Sequence, residues 1–244
     1  MTTFDGVTVI TQARTTSTRL PGKVLLEAAG RTMLEHHLDR LAAAGLRVVV
    51  ATTTNLTDDP VAEIAERIGV GVTRGSEHDV LGRFAQAVRE HRPRTVVRVT
   101  SDCPLVDGRV VRAGVEAFLA AADPALYASN TLVRTYPRGL DFEVFSAAAL
   151  LDADAHATDP VHREHVTPWL YTDPARPTLS LPWDRDASAY RLTLDTPDDL
   201  RLLRTLLEEY DAARLDAAGL VALLDAHPEL VALNAHVEQK KLGQ

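Results

Sequence analysis

Residues 10–26 read Ile-Thr-Gln-Ala-Arg-Thr-Thr-Ser-Thr-Arg-Leu-Pro-Gly-Lys-Val-Leu-Leu, and they join a predicted strand at Val7–Gln12 to a basic loop. The loop carries Arg14, Arg19 and Lys23 among several small hydroxyl residues. In α/β proteins, ligands bind at the carboxyl ends of strands, and several cations on one such loop suit a polyanion. The stretch therefore predicts an α/β fold with a triphosphate-binding loop. The alternative is a basic loop that is simply solvated.

Two familiar phosphate-binding motifs are excluded by the same residues. A Walker A motif requires Gly where Ser17 stands, and Ser or Thr where Val24 follows Lys23. A dinucleotide fingerprint requires Gly-x-Gly-x-x-Gly after the strand, and this loop contains no such spacing.

Bulk properties exclude several other classes of protein. A net charge of −8 over 244 residues argues against nucleic-acid binding, which would need a basic stripe. The one cysteine, Cys103, excludes an internal disulfide framework and favours a reducing compartment. No leader pattern and no apolar run of about 20 residues is present. We expect a cytoplasmic protein with no nucleic-acid or membrane partner.

Short β-branched runs alternate with helical patterns over the first two thirds of the chain. This alternation predicts a Rossmann-like, mostly parallel sheet with helices on both faces. Besides Val7–Gln12, the predicted strands are 47–52, 71–74, 95–100, 126–130, 141–145 and 190–194. The predicted helices are 32–44, 61–68, 80–91, 109–121, 146–156, 160–171 and a helical segment from 197.

We expect one domain over 1–244, in three parts. Residues 1–130 form the core of the sheet, 131–195 form an elaboration that closes over the site, and 196–244 form a helical tail. The apolar positions of that tail have helical spacing. They predict a helix that docks on the core, or alternatively one that forms a dimer face.

Two aspartates follow predicted strands. Asp102 comes directly after strand 95–100 in a Pro-containing turn, and it suits Mg²⁺, which prefers one or two carboxylates plus substrate phosphates. The alternative is an N-cap of a short turn. Asp195 precedes Thr196, which is expected to cap the helix that begins at Pro197, so Asp195 itself is left without a structural role.

The stretch Arg74-Gly-Ser-Glu-His-Asp-Val-Leu-Gly-Arg83 links a strand to a helix. Gly75 permits close backbone approach, and the start of the helix offers free N–H groups to a phosphate or a base edge. The alternative is an ordinary helix start with Ser76 or Asp79 as its N-cap.

Taken together, these motifs resemble the cytidylyltransferases that make CMP-linked acidic sugars, and most of all the SpsF-type branch of spore-coat polysaccharide synthesis. The resemblance covers about residues 7–200. It rests on Gln12-Ala13-Arg14, on Ser17 through Lys23, and on later blocks of the same kind. Those later blocks are Arg74–Arg83, Ser101–Pro104, Tyr136–Phe145, Arg163–Pro168 and Asp195–Pro197. Ser101 stands where Gly is more usual in the family.

The resemblance implies roles for individual residues. Catalysis is assigned to Arg14, Lys23, Asp102 and Asp195, the two aspartates being the Mg²⁺ ligands. The expected nucleotide contacts are Gln12, Ala13, Arg14, Ser17, Arg19, Lys23, Ser76, Asp79 and Arg83. The expected acceptor contacts are Asn130, Arg138, Asp141, Glu143, Arg163 and His165, although Arg138 and Arg163 could equally serve surface turns or ion pairs.

The implied reaction joins CTP to an acidic sugar or similar acceptor, giving a CMP-conjugate and pyrophosphate in a polysaccharide pathway. A homodimer is among the assemblies that the resemblance implies. UTP or dTTP with a sugar phosphate, a phosphonate or phosphate acceptor, and a non-catalytic nucleotide-binding module remain as alternatives. The absence of Gly between Gln12 and Pro21 favours cytidine over the Gly-rich loops of uridylyl- and thymidylyltransferases.

Two other chemistries are disfavoured by spacing. His162 and His165 are three residues apart, but no cysteine pair accompanies them and the order is not His-Glu-x-x-His, which argues against zinc. Cys103 has no nearby His or Asn and is predicted to be a packing residue rather than a nucleophile.

Overall fold

The computed structural model describes residues 4–239. Its β-strands are β1 (Val7–Gln12), β2 (Glu27–Ala28), β3 (Arg31–Thr32), β4 (Arg47–Thr53), β5 (Gly71–Gly75), β6 (Thr95–Thr100), β7 (Tyr127–Ser129), β8 (Glu143–Ser146) and β9 (Thr178–Ser180). Its α-helices are α1 (Met33–Ala42), α2 (Asp59–Ile68), α3 (Val80–His91), α4 (Gly108–Ala121), α5 (Ala147–His156), α6 (Pro160–His165), α7 (Pro168–Tyr171), α8 (Pro197–Glu209), α9 (Ala217–Ala226) and α10 (Pro228–Val231).

A seven-stranded sheet runs in the order β5-β4-β1-β6-β8-β7-β9. Strands β5, β4, β1 and β6 are parallel neighbours, β8 is antiparallel to both β6 and β7, and β9 is parallel to β7. The predicted mostly parallel, Rossmann-like sheet is confirmed. Because the four parallel strands end at the same edge, the loops that follow them meet there.

Local sequence explains where the main elements begin. Strands β1, β4 and β6 consist largely of buried β-branched residues, as expected for strands covered on both faces. Helix α1 begins with a capping box between Thr32 and Glu35, and α8 begins with another between Thr196 and Asp199. The predicted bounds of β1, β6 and α3 agree with the structure to the residue.

The strand predicted at 190–194 is wrong. Only an isolated bridge between Arg138 and Arg191 forms there. The backbone hydrogen bonds of the segment are divided between two partners, because Leu192 donates to the Arg138 carbonyl and Leu194 donates to the Asp102 carbonyl. The segment is therefore a strut between a turn and the Asp102 loop rather than a member of the sheet.

The helix predicted at 160–171 is two short helices, α6 and α7. Val166 adopts a φ of 71°, which ends α6, and Pro168 then opens α7 at a position where a missing N–H is tolerated. The β2–β3 hairpin and strand β9 have only two or three residues per strand and escaped prediction.

Helices cover both faces of the sheet. One face packs against α3, α5 and α7, with Phe84 and Phe145 fully buried, and the opposite face packs against α1 and α4. Helices α8 and α9 add a further apolar cluster around Leu203 and Leu220. The tail is therefore docked on the core as far as residue 239, and the predicted part at 240–244 lies outside the described residues. No helix in the described range is long and apolar enough to cross a membrane.

Gly139 provides a test of how the strut is positioned. Its φ is +99°, and an added Cβ would lie 2.5 Å from the carbonyl carbon of Leu192. We expect Gly139→Ala to lower the free energy of unfolding by about 3 kcal/mol, because backbone strain and a backbone clash add together. Urea denaturation with an unchanged m-value would measure the loss.

The matched control is Gly30→Ala, where φ is +72° but no atom lies within 4 Å of the added Cβ. We expect this variant to lower the free energy of unfolding by only about 1 kcal/mol, because it has the strained backbone conformation without the clash. Equal losses in the two variants would show that contact with Leu192 does not constrain the strut.

Candidate active site

One ammonium group joins Asp102, in the turn after β6, to Asp195, at the end of the strut before α8. The Nζ of Lys23 donates to Asp102 Oδ2 at 2.7 Å and to Asp195 Oδ1 at 2.8 Å. The two carboxylates, which are far apart in sequence, thus converge on one point at the carboxyl edge of the parallel strands. The side chain of Lys23 is only 12 % exposed, so the three charges interact largely out of water.

Each of the three residues is positioned by its own local structure. The basic loop is held by Asp58, which accepts hydrogen bonds from the Thr15 N–H and hydroxyl. The Asp102 turn continues from β6, where the Ser101 N–H donates to the Gln12 carbonyl. Asp195 is placed by the α8 capping box.

The capping residue Asp199 also forms hydrogen bonds with residues that precede helix α8. The carboxylate of Asp199 accepts from the N–H groups of both Asp195 and Thr196 at 3.0 Å. It also accepts from Arg191 Nε at 2.8 Å. A helix cap thereby fixes the backbone that presents Asp195.

The pKa values at this point follow from burial and pairing. Burial alone would raise the pKa of Asp102, but Lys23, with hydrogen bonds from Thr100 and Cys103, holds that pKa well below its usual range. Burial alone would lower the pKa of Lys23, yet the two carboxylates raise it above its ordinary value. Asp102 and Lys23 are therefore both charged near neutral pH.

Two further cations bind Asp195. Arg19 Nη2 lies 3.0 Å from the same Oδ1 that Lys23 contacts, and Arg191 Nη2 lies 3.0 Å from Oδ2. Arg191 also donates to the side-chain oxygen of Gln239 at 2.6 Å. Both oxygens of Asp195 are thus occupied by protein donors.

These groups lie at one end of a cavity of about 590 Å³. Seven of the predicted nucleotide contacts line it, together with both predicted metal ligands and one predicted acceptor contact. They are Gln12, Ala13, Arg14, Ser17, Arg19, Lys23, Arg83, Asp102, Asp195 and His165.

The remaining nucleotide contacts expected from the resemblance have structural partners. The Ser76 hydroxyl accepts from the Asp79 N–H, and Asp79 caps α3 by accepting from the Gly82 N–H at 2.9 Å. Asp79 also pairs with Arg163, an expected acceptor contact, which in turn binds Asp154 at 2.9 Å. None of these side chains lines the cavity.

Four other expected acceptor contacts also lie outside the cavity wall. The buried amide of Asn130 donates to the Leu140 carbonyl and accepts from the Phe142 N–H, so it braces the backbone before β8. Asp141 forms a two-pronged pair with Arg134 at 2.7 and 3.0 Å. Arg138 participates in the bridge to Arg191, and Glu143 is turned toward the interior.

Glu143 belongs to a buried network that ends at the cavity. It accepts from the Tyr127 and Thr167 hydroxyls at 2.6 Å, and it pairs closely with Arg98. Arg98 and His165 both line the cavity. Burial lowers the pKa of His165, and the nearby charge of Arg98 lowers it further, so this imidazole is neutral at pH 7.

Arg98 is the main cavity residue that sequence reasoning missed. The signal was present, because a charged residue interrupts the otherwise apolar strand Val96-Val97-Arg98-Val99. Its Nε and the Nε of Arg83 are buried, and neither has a hydrogen-bond partner among residues 4–239. Burial and the charge of Arg14 lower the pKa of Arg83 to about 10, which still leaves it charged at pH 7.

The donor set at the Lys23 contact suits a hard divalent cation. Asp102 and Asp195 direct carboxylate oxygens at a common point, which is the type of ligand that Mg²⁺ prefers. Within residues 4–239 no cluster of three or more His, Cys, Asp or Glu side chains could hold a metal without further ligands. His162 stacks edge-on against Trp169 rather than joining His165. Cys103 is buried, and burial raises the pKa of its thiol.

Comparison with known proteins agrees with this geometry. The cytidylyltransferase family model matches residues 8–225. An uncharacterized protein of Methanocaldococcus jannaschii is 35% identical over 95% of each chain. The spore coat polysaccharide biosynthesis protein SpsF of Bacillus subtilis is 30% identical over 93% of this chain and 97% of its own. The structure of a cytidylyltransferase from Leptospira borgpetersenii superposes with a TM-score of 0.90, at 32% identity, over 97% of this chain and 99% of that one.

A buried histidine behind the Asp102 turn gives the stability of the fold a defined pH dependence. His37 contacts the Thr11 hydroxyl through Nε2 at 2.8 Å and the Cys103 carbonyl through Nδ1 at 2.9 Å. Burial lowers its pKa from 6.5 to about 4. The unfolded chain therefore binds a proton between these values that the folded chain does not, and stability falls as pH falls from 6.5 toward 4.

We expect this one group to remove about 3 kcal/mol of stability across that interval. Urea denaturation at several pH values should show a shallower slope in His37→Gln than in the parent protein. Parallel slopes would mean that His37 does not stay neutral in the folded state.

Proposed function

Because the chain belongs to the cytidylyltransferase family, we propose that it transfers CMP from CTP to an acceptor that bears an acidic group, releasing pyrophosphate. The observation that carries this proposal is the meeting of the basic loop with two carboxylates at the mouth of one cavity. Arg14, Arg19 and Lys23 supply positive charge for the triphosphate. Asp102 and Asp195 supply the oxygen ligands.

The proposed step is an in-line displacement at the α-phosphorus of CTP. An acceptor oxygen forms the new P–O bond and gives its proton to solvent, while the bond between the α-phosphorus and the bridging oxygen breaks and its electron pair leaves with pyrophosphate. The loop cations neutralise the charge that develops on the leaving group, and the cavity fixes the two reactants in line. No covalent intermediate with the protein is required.

The two aspartates fit a resident Mg²⁺, since both present hard oxygen ligands at one point. When bound, this ion would orient the phosphates and stabilise negative charge on them. The protein's own part is to hold Asp195 by the Asp199 cap and Asp102 by the turn after β6.

The acceptor is proposed to lie toward Arg98 and His165, at the part of the cavity bounded by β6 and α6. Arg83 also lines the cavity and has no carboxylate within ion-pair distance in the described part of the chain, so its positive charge is offset only by the more distant Asp58, Glu77 and Asp79. A carboxylate on the acceptor would complement that charge. This favours an acidic sugar over a neutral one.

Thermal unfolding with CTP, UTP, ATP, GTP and dTTP, each with and without Mg²⁺, tests the nucleotide. A ligand at a hundred times its Kd stabilises the folded state by about 2.7 kcal/mol. We expect the largest rise in the unfolding midpoint with CTP and Mg²⁺. A larger rise with UTP or dTTP would instead favour a sugar-1-phosphate nucleotidyltransferase.

Pyrophosphate release with a panel of acidic sugars tests turnover. Asp102→Asn is expected to lower the rate by about a hundredfold or more, because one of the two metal-binding carboxylates loses its charge. The matched control, Asp184→Asn, changes an exposed aspartate outside the cavity wall and should keep the parental rate. Undiminished pyrophosphate release by Asp102→Asn would contradict the metal assignment. If the parent protein binds CTP but releases no pyrophosphate, a non-catalytic module is favoured.

A further inference from the structure

Lys23 occupies the point at which a divalent ion would be bound. Its ammonium lies within 2.8 Å of one oxygen of Asp102 and one of Asp195, and Arg19 contacts the same oxygen of Asp195. The loop that is proposed to hold the triphosphate is therefore engaged with the carboxylates that are proposed to hold the metal. Phosphate oxygens therefore compete with these carboxylates for the same two cations.

The charges at this point cancel without any ion. Asp102 and Asp195 are balanced by Lys23 and Arg19, while the charge of Arg191 is offset by Asp199. A divalent ion entering this arrangement would meet two cations in a half-buried setting, where like charges repel strongly. A triphosphate changes this balance, because it offers Lys23 and Arg19 new anionic partners and leaves the carboxylates free.

The choice of lysine supports this interpretation. The chain has 26 Lys and Arg residues, but its only lysines are Lys23, Lys240 and Lys241. An ammonium is a compact point charge on a flexible stem, whereas a guanidinium is a planar fork that pairs edge-on with a carboxylate. The single nitrogen of an ammonium can take a metal-like position between two carboxylates, and its flexible stem allows it to move to a phosphate.

We infer that Lys23, assisted by Arg19, is a placeholder cation that keeps the Asp102–Asp195 site closed to divalent metal until a nucleoside triphosphate draws the two side chains away. This inference rests on the proposed function and adds a binding order to it. Metal binds weakly to the nucleotide-free protein and binds tightly once the triphosphate is in place. By linkage, metal then strengthens the binding of the triphosphate by the same factor.

Mn²⁺ binding to the nucleotide-free protein tests the placeholder directly, with the EPR signal of free Mn²⁺ as the readout. We expect Lys23→Met to bind Mn²⁺ at least about tenfold more tightly than the parent, a gain of about 1.4 kcal/mol. Adding Asp102→Asn to that variant should abolish the gain, which would locate the ion. Arg214→Gln removes the same charge from an 84% exposed side chain and should change nothing.

The inference is overturned if Lys23→Met binds Mn²⁺ no more tightly than the parent or than Arg214→Gln. Thermal unfolding checks that each variant is folded. If Lys23→Met does not fold, Arg19→Gln replaces it, with a smaller gain expected because Lys23 remains; no gain in Arg19→Gln would then overturn the inference.

NMR of protein labelled with ¹⁵N only in lysine follows the movement itself. With only three lysines, the Nζ signal of Lys23 is assignable by comparison with Lys23→Met. We expect metal-free CTP to shift this signal and Mg²⁺ alone to leave it in place. A rise in the unfolding midpoint with CTP and an unmoved Lys23 signal would overturn the inference. If CTP causes neither change, the proposed function fails, and the Mn²⁺ comparison alone decides on the placeholder.

Discussion

The contact of one ammonium with two carboxylates ties together three segments that lie far apart along the chain. Lys23 comes from the loop after β1, Asp102 from the turn after β6, and Asp195 from the end of the strut before α8. Their meeting depends on the parallel pairing of β1 with β6, which brings the ends of these two strands to the same edge. The strut passes the same edge of the sheet. Its backbone hydrogen bonds to the carbonyls of Arg138 and Asp102 hold it in that position.

Much of the charge around this contact is buried and paired. Burying ion pairs such as Arg191–Asp199 and Arg98–Glu143 carries a desolvation cost that counts against their attraction, so the pairs are weak evidence of stability. What such pairs supply is a single geometry, since each is further restrained by hydrogen bonds from the backbone or from hydroxyl groups. The orientations of side chains that line the cavity are thus fixed by ion pairs and hydrogen bonds on the side away from it.

The sequence predicted local features well where pattern and capping agreed. Strands β1 and β6 and helix α3 have strong periodicity or caps, and they appear where expected. The segment 190–194 has a strand-like composition, but its hydrogen-bond partners come from tertiary contacts that no local pattern reveals. The same limit applies to Asn130 and Asp141, whose motif suggested a ligand although their polar atoms are used by neighbouring backbone and by Arg134. The position of Lys23 between the two aspartates required three-dimensional information.

The buried guanidinium of Arg191 also connects the site to the far end of the chain. The backbone carbonyl of Arg191 accepts a hydrogen bond from the Asn234 side chain at 3.1 Å. The side chain of Arg191 donates to Gln239, which itself lines the cavity. The last described residues therefore contribute to the wall of the cavity. For anyone shortening this protein, a truncation that removed Asn234 and Gln239 would take away two hydrogen-bond partners of Arg191 together with one residue of the cavity wall.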